Sequence, residues 1–167
     1  MNLKLLGAVA ALALMVGCAD KTAQNQAQTG AGGAGAGAGT GAGSGSGYAP
    51  GSQQDLAATA GDRVFFDTDS SVVREDGRST LQKQAQWMSQ NANVRVRIEG
   101  NADERGTREY NYALGQRRAN AARDQLVANG VSGARVAVIS YGKDRPASLG
   151  STDDAWAQNR SAVTVVR

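Results

Sequence analysis

Residues 93–100 read NVRVRIEG. Val94, Val96 and Ile98 fall on one side of an extended chain, and Arg95, Arg97 and Glu99 on the other. Such alternation marks a half-buried strand, one face against a core and one against water. A helical period follows almost at once. From about Glu109 to Asn129, the apolar residues Leu114, Ala121, Ala122 and Leu126 form a narrow stripe, and Gly130 is a stop signal. A strand with one wet face beside an amphipathic helix buries its apolar side by taking the helix onto the sheet. That limits the chain to an α/β layering.

The same signals extend on both sides. RVFFDT at 63–68 reads as a short strand. Val73, Gly77, Leu81, Ala85 and Met88 recur every three or four residues, which predicts a helix that Gly77 weakens near its start. ARVAVIS at 134–140 predicts a third strand, YGKDRP a turn-rich connection, Asp153 to Asn159 a short helix, and SAVTVV at 161–166 a closing strand. The order over 62–167 is β-α-β-α-β-(α)-β, an α/β sandwich with helices on one face of the sheet.

The chain ahead of Asp62 is different. From Thr29 to Gly51 it is almost only Gly, Ala, Ser and Thr, without apolar periodicity. Such a segment cannot bury enough surface to offset its ordering entropy, so a flexible tether is expected rather than a silk-like stack. Taken as a flexible chain, the roughly 43 residues after Cys18 have an r.m.s. span of about 35–40 Å. Before them, Lys4 precedes an apolar run from Leu5 to Val16. The run is shorter than the ~20 residues of a membrane span and has the order of a secretory signal. It ends in Met15-Val16-Gly17-Cys18, which resembles the lipobox of bacterial lipoproteins, and Cys18 is the only cysteine. The expected organisation is a signal peptide over 1–17, a lipidated Cys18 opening a tether over 18–61, and a folded domain over 62–167. Ala19, not aspartate, follows the cysteine, which in lipoproteins of enteric type favours sorting to the outer membrane. The alternative for this end is an ordinary signal peptide with a chance cysteine.

Composition narrows the chemistry. There is no histidine and one cysteine, so the usual general base near neutral pH, the commonest metal ligand and an intrachain disulfide are all missing. A formal charge of +3 is weak support for nucleic-acid binding. Charge is concentrated instead in GNADERGTREYN, residues 100–111. Asp103 there follows the alternating strand, at the strand end where open α/β sheets bind ligands. On the next helix, stepping by four from Leu114 reaches Arg118 and then Ala122, which puts Arg118 inside the apolar stripe. One reading has Arg118 lying along the core rim and satisfying a carbonyl. The other has Arg118 and Asp103 holding a ligand with one carboxylate and one ammonium, an amino-acid-like zwitterion. An enzyme using paired carboxylates, Asp103 and Asp67, is the remote alternative.

GNADERGTREYN followed by LGQRRANA, with VFFDTD at 64–69, SYGKDRP at 140–146 and NRSAV at 159–163, resembles the OmpA-like peptidoglycan-binding domain family. The resemblance implies a mixed sheet with helices on one face. It implies a non-catalytic domain, without cofactor or metal, that binds meso-diaminopimelate on the peptide stems of peptidoglycan. Asp103 then matches the residue that meets the ligand's ammonium and Arg118 the one that grips its carboxylate. Phe66 and Asp67 match pocket-lining positions, Arg105 and Thr107 the loop that closes over the ligand, and Leu114 an apolar wall. Together with the lipobox and tether, the resemblance implies an outer-membrane lipoprotein tethered to the wall. Its expected partners are TolB-like and TolA-like proteins, in a system supporting envelope integrity and cell division. A protein-docking lipoprotein with incidental wall contact is the alternative. The chain departs from the family in two places. Gly100-Asn101-Ala102-Asp103 stands where members commonly have GHAD, and Asn159-Arg160-Ser161 where they have NRR. For Arg160, hydrogen bonding at a helix or strand end is favoured over direct ligand contact.

Overall fold

Three strands end at one edge of the sheet, and this decides where a site can form. The computed structural model describes residues 47–167; the expected signal peptide, Cys18 and the part of the expected tether up to residue 46 lie outside the described residues. Its strands are β1 (Arg63–Phe65), β2 (Val96–Asn101), β3 (Val136–Gly142) and β4 (Ser161–Val166), arranged β1-β4-β2-β3. β4 is antiparallel to both β1 and β2, and β2 is parallel to β3. β1, β2 and β3 therefore run the same way. Their C-terminal ends, at Phe65, Asn101 and Gly142, gather around the start of β4. The sheet is mixed, as expected.

Two long helices supply the cover. α2 (Glu75–Gln90) follows β1, and α3 (Arg108–Ala128) follows β2. Glu75 and Asp76 lie in the first turn of α2, where negative charge is favoured by the helix dipole. The face expected from sequence is buried: Leu81, Ala85 and Met88 pack with Val96 and Ile98 of β2 and with Ala119, Ala122 and Leu126 of α3. On the other side of β2, Arg97 Nε donates to Glu99 at 3.0 Å, so the polar half of the alternation pairs with itself. The stripe of α3 is centred slightly away from the sequence expectation. Ala119 is fully buried, whereas Ala121 is only partly so. α4 (Asp153–Asn159) and β4 fall where the sequence placed them.

The ordered body begins earlier than residue 62. Residues 53–59, assigned above to the tether, form α1 (Gln53–Thr59). Ser52 caps it by accepting from the Asp55 N–H at 3.2 Å, and Leu56 is 0% exposed within the core. Asp55 accepts from Trp87 Nε1 at 2.8 Å, and the Gln53 side chain accepts from the Val166 N–H at 2.8 Å. A seven-residue helix with one large apolar residue presents no period to read, and its stability comes from these tertiary contacts.

One contact fixes the height of α3 over the sheet. A Cβ built on Gly100 would lie 1.9 Å from the carbonyl oxygen of Gly115, and one on Gly115 would lie 2.4 Å from Ser140 Oγ. The helix backbone rests directly on the end of β2, which only glycine at both positions allows. Arg118, one turn further along α3, is thereby brought down to the strand ends.

Candidate functional site

Arg118 is 0% exposed, an unusual state for a guanidinium. Its Nε donates to the Ser70 carbonyl at 2.8 Å, Nη1 to the Asn101 carbonyl at 2.9 Å, and Nη2 to the Asp67 carbonyl at 3.0 Å. Phe66, also buried, lies against it with its ring centre 5.3 Å from Arg118 Cζ. Three main-chain oxygens, two from the loop after β1 and one from the end of β2, thus hold one planar group. Arg118 satisfies carbonyls, as one sequence reading has it, though fully buried rather than along the core rim, and it also lines a cavity. Burial pulls its pKa down to about 10, the Asp103 charge opposes this, and Arg160 adds to it. At neutral pH it remains a cation. Three of a guanidinium's five N–H donors are engaged, so two remain. Among the described residues Arg118 makes no ion pair, and its charge is compensated by dipoles and by Asp103 at longer range.

Asp103, two residues past β2, is 6% exposed. Its Oδ1 accepts from the Arg105 N–H and from Arg105 Nε, both at 3.2 Å, and its Oδ2 accepts from Arg105 Nη2 at 2.7 Å. Arg160, at the start of β4, donates from Nη1 to Oδ2 at 3.4 Å and from Nε to the Phe66 carbonyl at 3.2 Å. Burial alone would raise the Asp103 pKa. The hydrogen bonds and charge of Arg105, with help from Arg160, outweigh burial and hold it below the usual carboxylate range.

These groups meet at a cavity of about 330 Å³ lined by Thr68, Asp69, Asp103, Arg105, Gly106, Tyr110, Asn111, Leu114 and Arg118. Four of the seven residues expected at the site, Asp103, Arg105, Leu114 and Arg118, therefore line it. The other three do not. Phe66 lies behind Arg118. The Asp67 side chain is 72% exposed and faces Arg74 at 3.9 Å, while its carbonyl serves Arg118. Thr107 caps α3, accepting from the Tyr110 N–H at 3.2 Å. Asn101, which replaces the family's histidine, turns its side chain to the Glu99 carbonyl at 3.2 Å and gives Arg118 its own carbonyl.

Sequence reasoning missed part of the wall. Tyr110 and Asn111 sit four and three residues before Leu114, on the face that also carries Arg118. Stepping backwards along the stripe would have found them. Asn111 Nδ2 donates to the Arg105 carbonyl at 2.7 Å and so holds the loop. Asp69 accepts from the Tyr110 hydroxyl and has a positive φ of 55°, a conformation that no sequence signal announced. The loop has further supports: Lys143 Nζ donates to the carbonyls of Glu104 at 3.1 Å and Gly106 at 2.7 Å, and Trp156 Nε1 donates to Glu104 Oε1 at 3.0 Å.

A mixed four-stranded sheet in the order β1-β4-β2-β3, with helices packed on it, corresponds to a known class. The OmpA family model matches residues 65–160, and the chain belongs to that family. Over 160 residues it is 49% identical to the peptidoglycan-associated lipoprotein of Mesorhizobium japonicum, covering 95% of this chain and 89% of that protein. It is 56% identical over 117 residues to the peptidoglycan-associated lipoprotein of Rhizobium meliloti, covering 70% of this chain and 66% of that one. The crystal structure of the peptidoglycan-associated lipoprotein from Burkholderia pseudomallei aligns with a TM-score of 0.62 at 43% identity, covering 64% of this chain and 90% of that chain. The C-terminal domain of Helicobacter pylori MotB, at 19% identity and a TM-score of 0.58, shares the fold alone.

Proposed function

We propose that the domain is a non-catalytic receptor for the zwitterionic end of meso-diaminopimelate in peptidoglycan stems, carried on an outer-membrane lipoprotein anchored through Cys18. The observation that carries this reading is a buried cation, Arg118, lining a cavity beside an ionised Asp103. Opposite charges at adjacent positions suit a carboxylate and an ammonium on one carbon. Charge-assisted hydrogen bonds contribute roughly 1.5–3 kcal/mol each, so a few of them, less ordering costs, correspond to about micromolar affinity. Many membrane-held copies facing a repeating polymer would add avidity.

The geometry gives little support to acid–base catalysis. Asp103 is held ionised by two guanidinium groups, and the Asp67 carboxylate points away from the cavity. Docking to TolB-like and TolA-like proteins is a second role, supported by the family resemblance and compatible with wall binding. Titration with free meso-diaminopimelate followed by amide shifts tests the main reading, alongside sacculus pull-down. Shifts are expected at 103–118, with binding lost in Asp103→Ala and Arg118→Ala. Undiminished pull-down by both folded variants would overturn the assignment.

A further inference from the structure

Asp103 is already occupied. Both of its oxygens accept hydrogen bonds from Arg105, and Oδ2 also faces Arg160. A ligand's ammonium approaching Asp103 therefore meets a carboxylate whose charge is in use. Arg118 is in the opposite state, a cation with no ion pair among the described residues and two donors uncommitted. The cavity is thus built to favour an anion over a cation.

The two arginines on Asp103 differ in freedom. The Arg160 side chain is 15% exposed and fastened to the Phe66 carbonyl, whereas that of Arg105 is 41% exposed. While paired with Asp103, the Arg105 guanidinium also lies against Trp156, a face contact that does not depend on Asp103. Its Cζ is 4.2 Å from the centre of the Trp156 ring, and Trp156 is tied to Glu104. Lys143 and Asn111 hold the loop carbonyls at 104, 105 and 106. The Arg105 side chain can leave Asp103 without the loop backbone moving.

The geometry points to Arg105 as the residue that sets ligand specificity: it stands on Asp103 as an internal competitor, so that only a ligand bringing a carboxylate and an ammonium together displaces it. This rests on the diaminopimelate reading above. A ligand with an ammonium alone, such as the end of a lysine side chain, exchanges one set of charged hydrogen bonds for an equivalent set and gains little. A ligand with carboxylates alone docks at Arg118 and leaves Arg105 in place. A zwitterion gains the Arg118 contact and also releases Arg105, whose guanidinium then faces the bound carboxylate as a second cation. The cavity in this way separates wall stems built on diaminopimelate from those built on lysine.

The test uses the full chain and three probes: meso-diaminopimelate, Nα-acetyl-lysine N-methylamide, which carries an ammonium and no carboxylate, and pimelate. The wild type, Arg105→Gln and Arg105→Lys are compared by competition titration. Preference for meso-diaminopimelate over Nα-acetyl-lysine N-methylamide is expected to fall at least about tenfold in Arg105→Gln, the weight of one charged hydrogen bond, and to be largely kept in Arg105→Lys. The Arg105 Nε–H and Trp156 indole N–H resonances should shift on saturation with meso-diaminopimelate and not with pimelate. An unchanged preference in Arg105→Gln, or an Arg105 resonance that stays put in the saturated complex, overturns the inference. Failure of the wild type to bind meso-diaminopimelate at all would instead overturn the wall-binding reading itself.

Discussion

Gly100 and Gly115 touch through their backbones: a Cβ on Gly100 would stand 1.9 Å from the Gly115 carbonyl oxygen and 2.7 Å from its carbonyl carbon. No side-chain rotation relieves a clash with main chain, so Gly100→Ala must lift α3 from β2. Overpacking of this kind costs about 3 kcal/mol. Gly115→Ala should cost less, because its closest main-chain approach is 2.8 Å, to the Gly100 carbonyl oxygen, although it also meets Ser140 Oγ at 2.4 Å. Urea unfolding of both variants checks the order. Gly100→Ala is also expected to lose diaminopimelate binding, since Arg118 rides on the same helix.

Arg118→Lys keeps the charge and removes the fork. The native guanidinium reaches the Ser70, Asn101 and Asp67 carbonyls at 2.8, 2.9 and 3.0 Å. An ammonium on a flexible stem cannot match three oxygens arranged around a plane. At least one buried carbonyl would be left unpaired, at a cost of about 1–3 kcal/mol in stability. Binding of meso-diaminopimelate should weaken at least about tenfold, the equivalent of one charged hydrogen bond. Thermal unfolding and titration calorimetry on the same variant read the two effects separately.

Much of this site is legible in the sequence because it rests on periods. Arg118 is found by counting four from Leu114, and Asp103 by its place after an alternating strand. Residues that act through the main chain leave no such mark. Asp67 and Asn101 serve Arg118 with carbonyls, a role any residue type could fill. The matched positions Phe66 and Asp67 therefore identify the strand end rather than the cavity wall. Arg160 is reached only through topology: β4 is antiparallel to β2, with Gly100 opposite Ala162, so its first residues stand beside the end of β2. No local pattern around NRSAV contains that pairing. The self-pairing of Asp103 with Arg105 is equally silent, since two residues of opposite sign in a charged loop are ordinarily solvated.

α1 is the segment that composition misassigned, and it offers a direct measurement. Leu56 is fully buried, and Gln53 and Asp55 bond to β4 and to Trp87 of α2. Leu56→Ala should destabilise the fold by about 2–5 kcal/mol. A neutral result in denaturant unfolding would mean that α1 contributes little and that the independent core begins at β1. Trp87 fluorescence follows the same event, because loss of α1 docking removes the Asp55 partner of its indole N–H.

The acid limb of stability should carry the signature of Asp103. Its folded-state pKa is depressed: burial opposes the ionised form but is outweighed by Arg105 and Arg160. A carboxyl with a depressed folded pKa contributes stability that is complete above its unfolded pKa, about 3.9, and is lost as pH falls through the lower folded value. Asp103→Asn removes that contribution. The variant should be less stable than wild type at pH 7 by about 2 kcal/mol, the scale of hydrogen bonds to a charged group. Its stability should then fall less steeply than that of wild type below about pH 4. The two unfolding curves are expected to converge once the wild-type carboxyl is protonated. Parallel curves down to the lowest accessible pH would show that Asp103 titrates no differently in the folded and unfolded chains, and that the Arg105 pairing is too weak to make the cavity favour an anion over a cation.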